Sequence, residues 1–473
     1  MKKHNTLKVV LLSIFVVVLC SWIFPAAQYS GELVTQAREQ IGLFNLFSYP
    51  LVTLAYFSYI LFYVLVCGGL YGVLGKIPAY KKLLEKIVKG FKGKEVIFLA
   101  LIMILLSAIT SLVGFSFGLI ILFPMLISII LMMGYNKLVA ASVTVGSVIC
   151  GMIGNTYAND TFSYINSILG TNLTDNLMYK GIILGLAVLL LIFNVLRYAK
   201  KSKTNVVEKD ALIPEDVKVV KGKKVRVWPL VIIFDLMLIV MLLGVFPWST
   251  IFPKLDWFTK ALNWVQTYEL FGFPIFAKLL GDVSLFGEWS YMLGSVPSAA
   301  IPTLVLITTV ILGLVYRVKF DDFLDGIING MKKALGPAVI MTMLSLILII
   351  STYHPFQLNI TNWLLGFGEG LNVVIMSLVA MFSSFVNVDA LYVAQSTLPY
   401  VTSIFTDSAL YPLIAIIFQS IYGLSMLVLP SSIILMGTLS YLDISYGKWL
   451  KHIWKLFVEI LVVLIIIFII ILA

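Results

Sequence analysis

The sequence predicts an all-α polytopic membrane protein made of two inverted-topology repeats, each with a re-entrant hairpin and a broken helix. The chain has 473 residues, of which 60% are hydrophobic and 12% are charged, a composition that a soluble domain of this length does not carry. Two regions each place a polar tip between two short apolar arms, and each is followed by an apolar span that polar residues interrupt. Irregular backbone at membrane depth is tolerated only where protein or a watery cavity receives it. The pattern therefore indicates a binding site built from broken helices.

The distribution of charge favours a membrane topology over a nucleic-acid partner. The net charge is +10, but the basic residues lie in short loops at alternating ends of apolar spans, as orientation signals do. Lys2, Lys3 and Lys8 place the N-terminus in the cytoplasm. The apolar stretch over 7–24 is longer than the apolar core of a usual signal peptide. We therefore expect an uncleaved first helix in a multi-pass cell-membrane protein.

The first half is predicted to comprise residues 1–200. Its scaffold helices are followed by an amphipathic inner arm helix over 79–92, a hairpin over 95–133 and a broken helix over 137–176. The basic segment over 201–226 is the long polar stretch of the chain and is predicted to be a cytoplasmic linker between the two halves.

The second half, residues 227–473, is predicted to repeat the same order of elements. After its scaffold helices come an outer arm helix over 355–368, a hairpin over 371–405, a broken helix over 408–441 and a last helix over 453–473. Just before them, an apolar stripe over 320–331 predicts an interfacial helix separate from the span over 337–352.

The two hairpins are predicted to enter the membrane from opposite sides, as an inverted repeat requires. Lysines between 76 and 94 place both ends of the first hairpin in the cytoplasm, and following the spans from there places both ends of the second hairpin outside. A spanning helix needs about 17 to 25 apolar residues. Arms such as 96–110 and 119–133 are shorter, which favours re-entrant hairpins. The alternative is that these segments are ordinary loop helices.

Polar residues at the hairpin tips and helix breaks are the candidate ligands for a substrate or a coupling ion. In the first half they are Ser116, Gly154, Asn155, Thr156, Asn159 and Asp160. In the second half they are Asn387, Asp389, Ser431 and Ser432. A break leaves backbone groups unpaired, so new helix N-termini attract a carboxylate and freed carbonyl and hydroxyl groups can ligate Na⁺.

Two of these interpretations have alternatives. The stretch over 137–157 is already long enough to span, so Asn159 and Asp160 could lie in an outer loop. An acidic tip residue such as Asp389 is costly between apolar arms unless it is used. Elsewhere, His354 is expected to be a solvated loop histidine, and Gln419 is expected to form a hydrogen bond between helices.

The sequence indicates no enzyme and no cofactor. Cys20, Cys67 and Cys150 lie in apolar spans and make neither a disulfide framework nor a metal set, and nucleotide-binding, hydrolase and zinc motifs are missing at usable spacing. The alternative from another class is a membrane-embedded cell-envelope transferase with catalytic acids in the outer segment over 251–294. A third possibility is a membrane scaffold that handles no substrate.

The chain resembles the anaerobic C4-dicarboxylate carrier family, within the ion transporter superfamily. The resemblance covers nearly the whole chain and is clearest over 123–156, in KGKE over 92–95, and over 427–453 with its typical YGKW. It implies two inverted repeats, a scaffold domain that forms a homodimer, and a transport domain that moves like an elevator. In the two breaks, Asn155 and Thr156 match the family's Gly-Ser/Asn-Thr pattern, while Pro430, Ser431 and Ser432 match its Pro-Thr/Ser-Ser pattern.

Departures from the family pattern bear on the substrate. Many relatives carry two glutamates where this chain has Phe117 and Gly118, and relatives are assigned to dicarboxylates or to basic amino acids. We expect secondary active transport of a small carboxylate-bearing metabolite, an amino acid or a C4-dicarboxylate, coupled to Na⁺ or H⁺ or working by solute exchange. The aspartates tilt the expectation toward an amino acid, whose ammonium would meet Asp389 or Asp160.

Overall fold

The computed structural model describes residues 5–114, 116–203, 225–245, 257–280, 300–368 and 370–473. These residues form a largely helical protein whose described part includes one two-stranded sheet. Seven of the described helices are long and apolar enough to cross a bilayer. The chain is therefore a multi-pass membrane protein, as its composition predicts.

Most of the predicted linker, residues 204–224, lies outside the described residues, and the described elements of the first half lie between residues 5 and 203. They are α1 (Asn5–Ile23), β1 (Ala27–Tyr29), β2 (Leu33–Thr35), α2 (Leu43–Leu74), α3 (Pro78–Gly90), α4 (Glu95–Val113), a 3-10 helix (Gly118–Leu122), α5 (Phe123–Met132), α6 (Lys137–Ala141), a π-helical turn (Ser142–Gly146), α7 (Ser147–Ile153), α8 (Asn159–Leu169) and α9 (Leu177–Ser202). The π-helical turn joins α6 to α7, so one helical segment runs from 137 to 153 before it breaks.

The described elements of the second half begin at Trp228. They are α10 (Trp228–Val245), α11 (Trp257–Thr267), α12 (Ile275–Leu280), α13 (Ala300–Val315), α14 (Phe320–Tyr353), α15 (Gln357–Leu365), α16 (Val373–Asn387), α17 (Ala390–Ile404), a 3-10 turn (Ser408–Leu410), α18 (Tyr411–Met426), α19 (Ile433–Tyr441) and α20 (Tyr446–Leu472). In both halves a short arm helix precedes a pair of hairpin helices and then a broken helix. The predicted inner arm helix corresponds to α3 and the predicted outer arm helix corresponds to α15.

Two glycine pairs bring α2 and α14 into backbone contact. A Cβ added at Gly72 would lie 1.9 Å from the carbonyl oxygen of Gly326, and one added at Gly330 would lie 2.0 Å from that of Gly68. Each pair is spaced four residues apart, the small-residue spacing that lets helices approach closely in a membrane. This crossing joins a helix of the first half to a helix of the second half.

The same crossing corrects one sequence prediction. The stripe over 320–331 is not a separate interfacial helix, because it continues without interruption into the predicted span and forms the single 34-residue helix α14. Gly326 and Gly330 turn toward α2, so part of this segment packs against protein rather than lying on the membrane surface.

The first hairpin is less symmetric than its sequence suggests. Its first arm, α4, has 19 residues and a length of about 28 Å at 1.5 Å per residue, which is enough to span by length and composition. In the second hairpin α16 and α17 have 15 residues each.

The last helix begins earlier than the sequence predicts. It starts at Tyr446 rather than at residue 453.

The expectation that His354 is a solvated loop residue is wrong. Its side chain is only 9% exposed, with Nδ1 2.5 Å from the carbonyl oxygen of Glu39 and Nε2 2.8 Å from the hydroxyl of Tyr49. The reason is that the segment after α1 folds against the end of α14, where the amide of Ala27 donates to the carbonyl of Pro355 at 2.7 Å. That segment buries the histidine.

Candidate functional site

The first helix break lies between α7 and α8 and is tied to the first hairpin by Ser111 on α4. The Ser111 hydroxyl donates to the carbonyl of Gly154 at 2.6 Å and lies 3.0 Å from the hydroxyl of Thr156. The Ser111 carbonyl accepts from the amides of Thr156 and Tyr157 at 3.1 and 3.2 Å. One hairpin residue thus bonds to three backbone groups of this break, the carbonyl of Gly154 and the amides of Thr156 and Tyr157.

Small residues allow the broken helix to approach its neighbours this closely. A Cβ at Gly154 would lie 2.4 Å from Cα of Leu184 on α9, and one at Gly151 would lie 2.5 Å from the carbonyl oxygen of Ser107 on α4. Glycine at these two positions is therefore required by the packing of α7 between α4 and α9.

Asn155 is the residue of the first break with spare hydrogen-bonding capacity. Its side chain is 2% exposed; Nδ2 donates weakly to the carbonyl of Ala158 at 3.5 Å, and Oδ1 has no partner. A buried acceptor without a partner is costly. The Asn155 oxygen is therefore a candidate ligand for a cation or for a substrate group that donates a hydrogen bond.

The remaining first-half candidates lie around this break. Ser116 is partly buried at the hairpin tip, and its amide donates to the carbonyl of Gly114 at 2.7 Å. Asn159 and Asp160 form the first turn of α8, so they belong to a helix rather than to a loop. Their side chains fall outside what the structure describes.

In the second hairpin, a buried polar network joins the tip to the outer arm helix. Gln357 on α15 donates through Nε2 to the hydroxyls of Ser383 and Thr397 at 3.0 and 2.5 Å, and its Oε1 accepts from Nδ2 of Asn387 at 2.8 Å. Asn387 also donates to the carbonyl of Ser383 at 2.9 Å. The amide nitrogen of Asn387, a predicted ligand, is therefore engaged within the protein.

Asp389 caps the second arm of this hairpin. Its Oδ1 accepts from the amide of Leu391 at 2.8 Å at the N-terminus of α17, a typical role for aspartate. The residue is exposed between buried neighbours. The carboxylate lies near enough to the hydroxyls of Tyr59, Tyr392 and Tyr422 to act on them electrostatically.

The second helix break lies between α18 and α19 and is held by the last helix. The indole Nε1 of Trp449 donates to the carbonyl of Leu427 at 2.9 Å, and the hydroxyl of Tyr446 donates to the carbonyl of Val428. Ser431 and Ser432 are buried at 0% and 1% exposure, with Ser432 directly before α19. The hydroxyls of Ser431 and of Ser425, six residues earlier at the end of α18, have no partner.

The two broken helices cross next to their breaks. A Cβ at Gly423 on α18 would lie 2.5 Å from the amide nitrogen of Ile153, the last residue of α7. Asn155 and Ser425 are each two residues beyond this contact, which is at most about 8 Å of chain. The first break therefore lies beside the second broken helix, about one turn before that helix ends at Met426.

The tip of the second hairpin also reaches this crossing. Tyr422, the neighbour of Gly423, donates its hydroxyl to the carbonyl of Val388 at 3.2 Å, and its ring meets that of Phe162 on α8 edge-on at 5.9 Å. The structure thus brings together the first break, the second broken helix and the second tip.

Two buried polar groups were missed or only partly anticipated from the sequence. Gln419 does form the expected hydrogen bond between helices, donating Nε2 to Oδ1 of Asn166 at 3.3 Å, but the sequence did not identify Asn166 as its partner. Lys180, in the first turn of α9, is buried and donates to the carbonyl of Leu173 at 2.8 Å. A lysine at the start of an apolar helix is a signal in the sequence that could have pointed to it. Among the described residues, groups of three or more His, Cys, Asp or Glu that could hold a metal ion are absent.

A family comparison decides the class of protein. The model of the DcuC family, described as C4-dicarboxylate anaerobic carrier, matches residues 53–473. The chain belongs to the C4-dicarboxylate anaerobic carrier family. This confirms the resemblance inferred from the two breaks and the YGKW segment, and it identifies the chain as a carrier of the secondary transporter class.

The chain was also compared with curated proteins and with solved structures. A comparison with curated proteins found no match. Among solved structures, the chain is similar to the YdaH transporter of Alcanivorax borkumensis, whose structure is described as having an unusual topology, with 13% sequence identity and a TM-score of 0.42 over 98% of this chain and 97% of the other.

Proposed function

We propose that this member of the family is a secondary active transporter of a small C4-dicarboxylate that binds where the two broken helices cross. The observation that carries the proposal is a set of buried oxygen atoms without partners on the two broken helices. Asn155 Oδ1 and Ser425 Oγ are each two residues from the crossing, Gln419 Oε1 is one turn before it, and Ser431 Oγ lies in the second break. Leaving such atoms unpaired costs free energy. A ligand that bonds to them offsets that cost.

The new helix N-termini at the breaks suit an anionic substrate. Helix α8 begins after Ala158 and α19 begins after Ser432, and neither of these residues caps its helix with a side chain. The first backbone amides of each helix are then available to an anion, and the helix dipole adds partial positive charge. Two such N-termini match the two carboxylates of a C4-dicarboxylate.

Family membership favours a dicarboxylate over an amino acid as the substrate. The amino-acid hypothesis needs an acidic group to meet an ammonium. Asp389 accepts one hydrogen bond through Oδ1 at the start of α17, and its carboxylate has capacity to accept more, so substitution of Asp389 tests that hypothesis. Membership of a carrier family also favours transport over the envelope transferase, three of whose candidate acids, Asp256, Asp282 and Glu288, lie outside the described residues.

For the coupling ion we propose Na⁺, bound close to the first break. Carbonyl, amide and hydroxyl oxygens are the ligands that Na⁺ finds at unwound helix segments. Asn155 Oδ1 is free, and the carbonyl of Gly154 can accept a second interaction beside its bond from Ser111. H⁺ coupling and solute exchange are the alternatives that the experiment separates.

The test is transport by purified protein in liposomes. Uptake of labelled succinate driven by an inward Na⁺ gradient is expected, whereas labelled arginine should stay at background. Uptake driven by a pH gradient alone would replace Na⁺ by H⁺, and uptake only into succinate-loaded liposomes would indicate exchange. Arginine uptake without succinate uptake would contradict the dicarboxylate proposal. Ser431→Ala should raise the KM for succinate, while Ser440→Ala, in the same helix pair but outside the break, serves as the control.

We further propose that the two halves form inverted repeats, that the transport domain moves like an elevator, and that the carrier is a homodimer with a cytoplasmic N-terminus. Support comes from the recurring element order and from the lysine-rich loop before α4. With the native cysteines replaced, Lys92→Cys should label from the cytoplasm and Thr406→Cys from outside. Labelling of both from one side contradicts the inverted repeat, and crosslinking in native membranes tests the dimer.

A further inference from the structure

One row of side chains on the last helix contacts both broken helices. Tyr446, Trp449 and His452 follow one another at intervals of three residues on α20, so each is next to the following one on the helix surface and the row winds about 120° around the helix. Tyr446 and Trp449 donate to the second break at Val428 and Leu427. His452 is the last residue of this row, with Nε2 2.9 Å from the hydroxyl of Ser142.

The contacts with the second break satisfy carbonyls that the broken helix cannot satisfy itself. Helix α18 ends at Met426, so the carbonyls of Leu427 and Val428 have no helical partner at α19. Trp449 is fully buried and supplies one donor, and Tyr446 supplies the other. The break is fixed from outside its own helix, while the hydroxyls of Ser425 and Ser431 on either side remain without partners.

His452 contacts the helical segment that leads to the first break. Ser142 is the first residue of the π-helical turn Ser142–Gly146, and π-helical turns are frequent at functional sites. The ring of Tyr198 on α9 packs against His452 edge-on at 4.3 Å. The histidine is thereby held between α9 and the segment that continues into α7.

We propose that Tyr446, Trp449 and His452 are positioning residues that hold the two helix breaks in the geometry that binds ligand. The proposal deepens the proposed function, since it assigns to the last helix the shape of the substrate and ion site. None of the three residues need touch the ligand. Their removal should weaken ligand binding and leave the overall fold in place.

Transport kinetics give the first test. Tyr446→Phe keeps the ring and removes one donor, so the KM for succinate or for Na⁺ should rise about fivefold, the effect of one lost hydrogen bond in a partly buried position, with the maximal rate changed less. Trp449→Phe should act in the same direction. The controls are Trp454→Phe, on the same helix but 60% exposed, and Tyr56→Phe, which is 66% exposed. Unchanged KM values in both test variants, with intact folding, would overturn the proposal.

Hydrogen–deuterium exchange gives a second test that needs no ligand. Tyr446→Phe should speed amide exchange over 427–432 and leave 154–158 unchanged. His452→Leu should speed exchange over 142–158, and His452→Gln, which can still hydrogen-bond to Ser142, should restore protection. Equal exchange in wild type and variants contradicts the positioning role. If exchange changes as expected while wild type transports neither succinate nor arginine, the proposed function fails and the positioning role stands.

Discussion

The two hairpin-and-break units have the same order of elements but solve the problem of exposed backbone in different ways. In the first unit the hairpin holds the break, because Ser111 bonds to Gly154, Thr156 and Tyr157. In the second unit the hairpin is bonded to the arm helix through Gln357. The second break is held by the last helix instead.

The difference shows that a repeated sequence pattern does not imply repeated contacts. A polar group inside an apolar core must find a partner, but any nearby donor or acceptor can serve. The first hairpin and its break form one hydrogen-bonded body. In the second unit, Tyr422 links the hairpin tip to the helix before the break, and the hydroxyl of Ser431 is left free.

The largest effect is expected where the two units touch. Gly423→Val would place a branched side chain where even a Cβ lies 2.5 Å from the backbone of Ile153, so α18 must move away from α7. Overpacking of this kind typically costs about 1–3 kcal/mol or more, and it would separate the first break from the second broken helix. Transport should fall at least about 100-fold, measured as initial uptake in liposomes at equal protein content.

The control for this prediction is Gly181→Val on α9. A Cβ at Gly181 meets nothing within 4 Å, so this variant should keep most of its transport. Equal loss in both variants, or full activity in Gly423→Val, would contradict the view that the two breaks form one site.

A smaller effect is expected from Ser111→Ala, which removes the hydroxyl that ties the first hairpin to the first break. The carbonyl of Gly154 would lose its 2.6 Å partner, at a cost of about 1–2 kcal/mol and so about tenfold in ligand affinity. The KM for Na⁺ should rise, and exchange of the amides over 154–158 should become faster.

Ser384→Ala provides the matched comparison in the second unit. Ser384 is also buried at a hairpin tip, but its hydroxyl bonds only to the carbonyl of Ala380 in its own helix at 2.6 Å. Its removal should change KM less than twofold. Equal effects of the two alanine substitutions would show that the units are held alike.

The next effect concerns the second hairpin and its arm helix. Gln357→Leu removes the side chain on which Asn387, Ser383 and Thr397 converge, leaving the Asn387 amide without that partner. The cost is about 1–2 kcal/mol, because Ser383 and Thr397 still bond to each other at 2.6 Å. The midpoint of thermal unfolding in detergent should fall by a few degrees, while exchange over 154–158 stays unchanged. Faster amide exchange at the first break would contradict the view that different residues hold the two units in place.

The sequence predicted the hairpins and breaks because polar residues that interrupt apolar runs are a local signal. It placed Asn155, Ser431 and Asp389 at tips and breaks for that reason. It could not identify Ser111 or Trp449 as their partners, since these residues lie far from the breaks along the chain and local periodicity does not encode such pairs.

The sequence indicated the close packing of α2 and α14 only in part, and it did not indicate the burial of His354. The four-residue spacings Gly68–Gly72 and Gly326–Gly330 are a recognised signal for close helix packing in membranes, yet the stripe around the second pair also fits an interfacial helix. Apolar periodicity alone does not distinguish a helix that faces lipid from one that faces protein. The burial of His354 depends on the fold of the segment after α1, which carries no strong periodicity.

The smallest effect is expected at Asp389, and it decides between the two substrate classes. Asp389→Asn keeps the shape of the side chain and its ability to cap α17 through Leu391, because asparagine is as good an N-cap as aspartate. Only the negative charge beside Tyr59, Tyr392 and Tyr422 is lost. If the substrate is a dicarboxylate held by helix N-termini and hydroxyls, the KM for succinate should change less than about threefold, and a modest fall is expected because one nearby like charge is removed. A tenfold rise in KM for any amino acid that the wild type transports, with unfolding temperature unchanged, would instead make Asp389 the partner of a substrate ammonium and restore the amino-acid hypothesis.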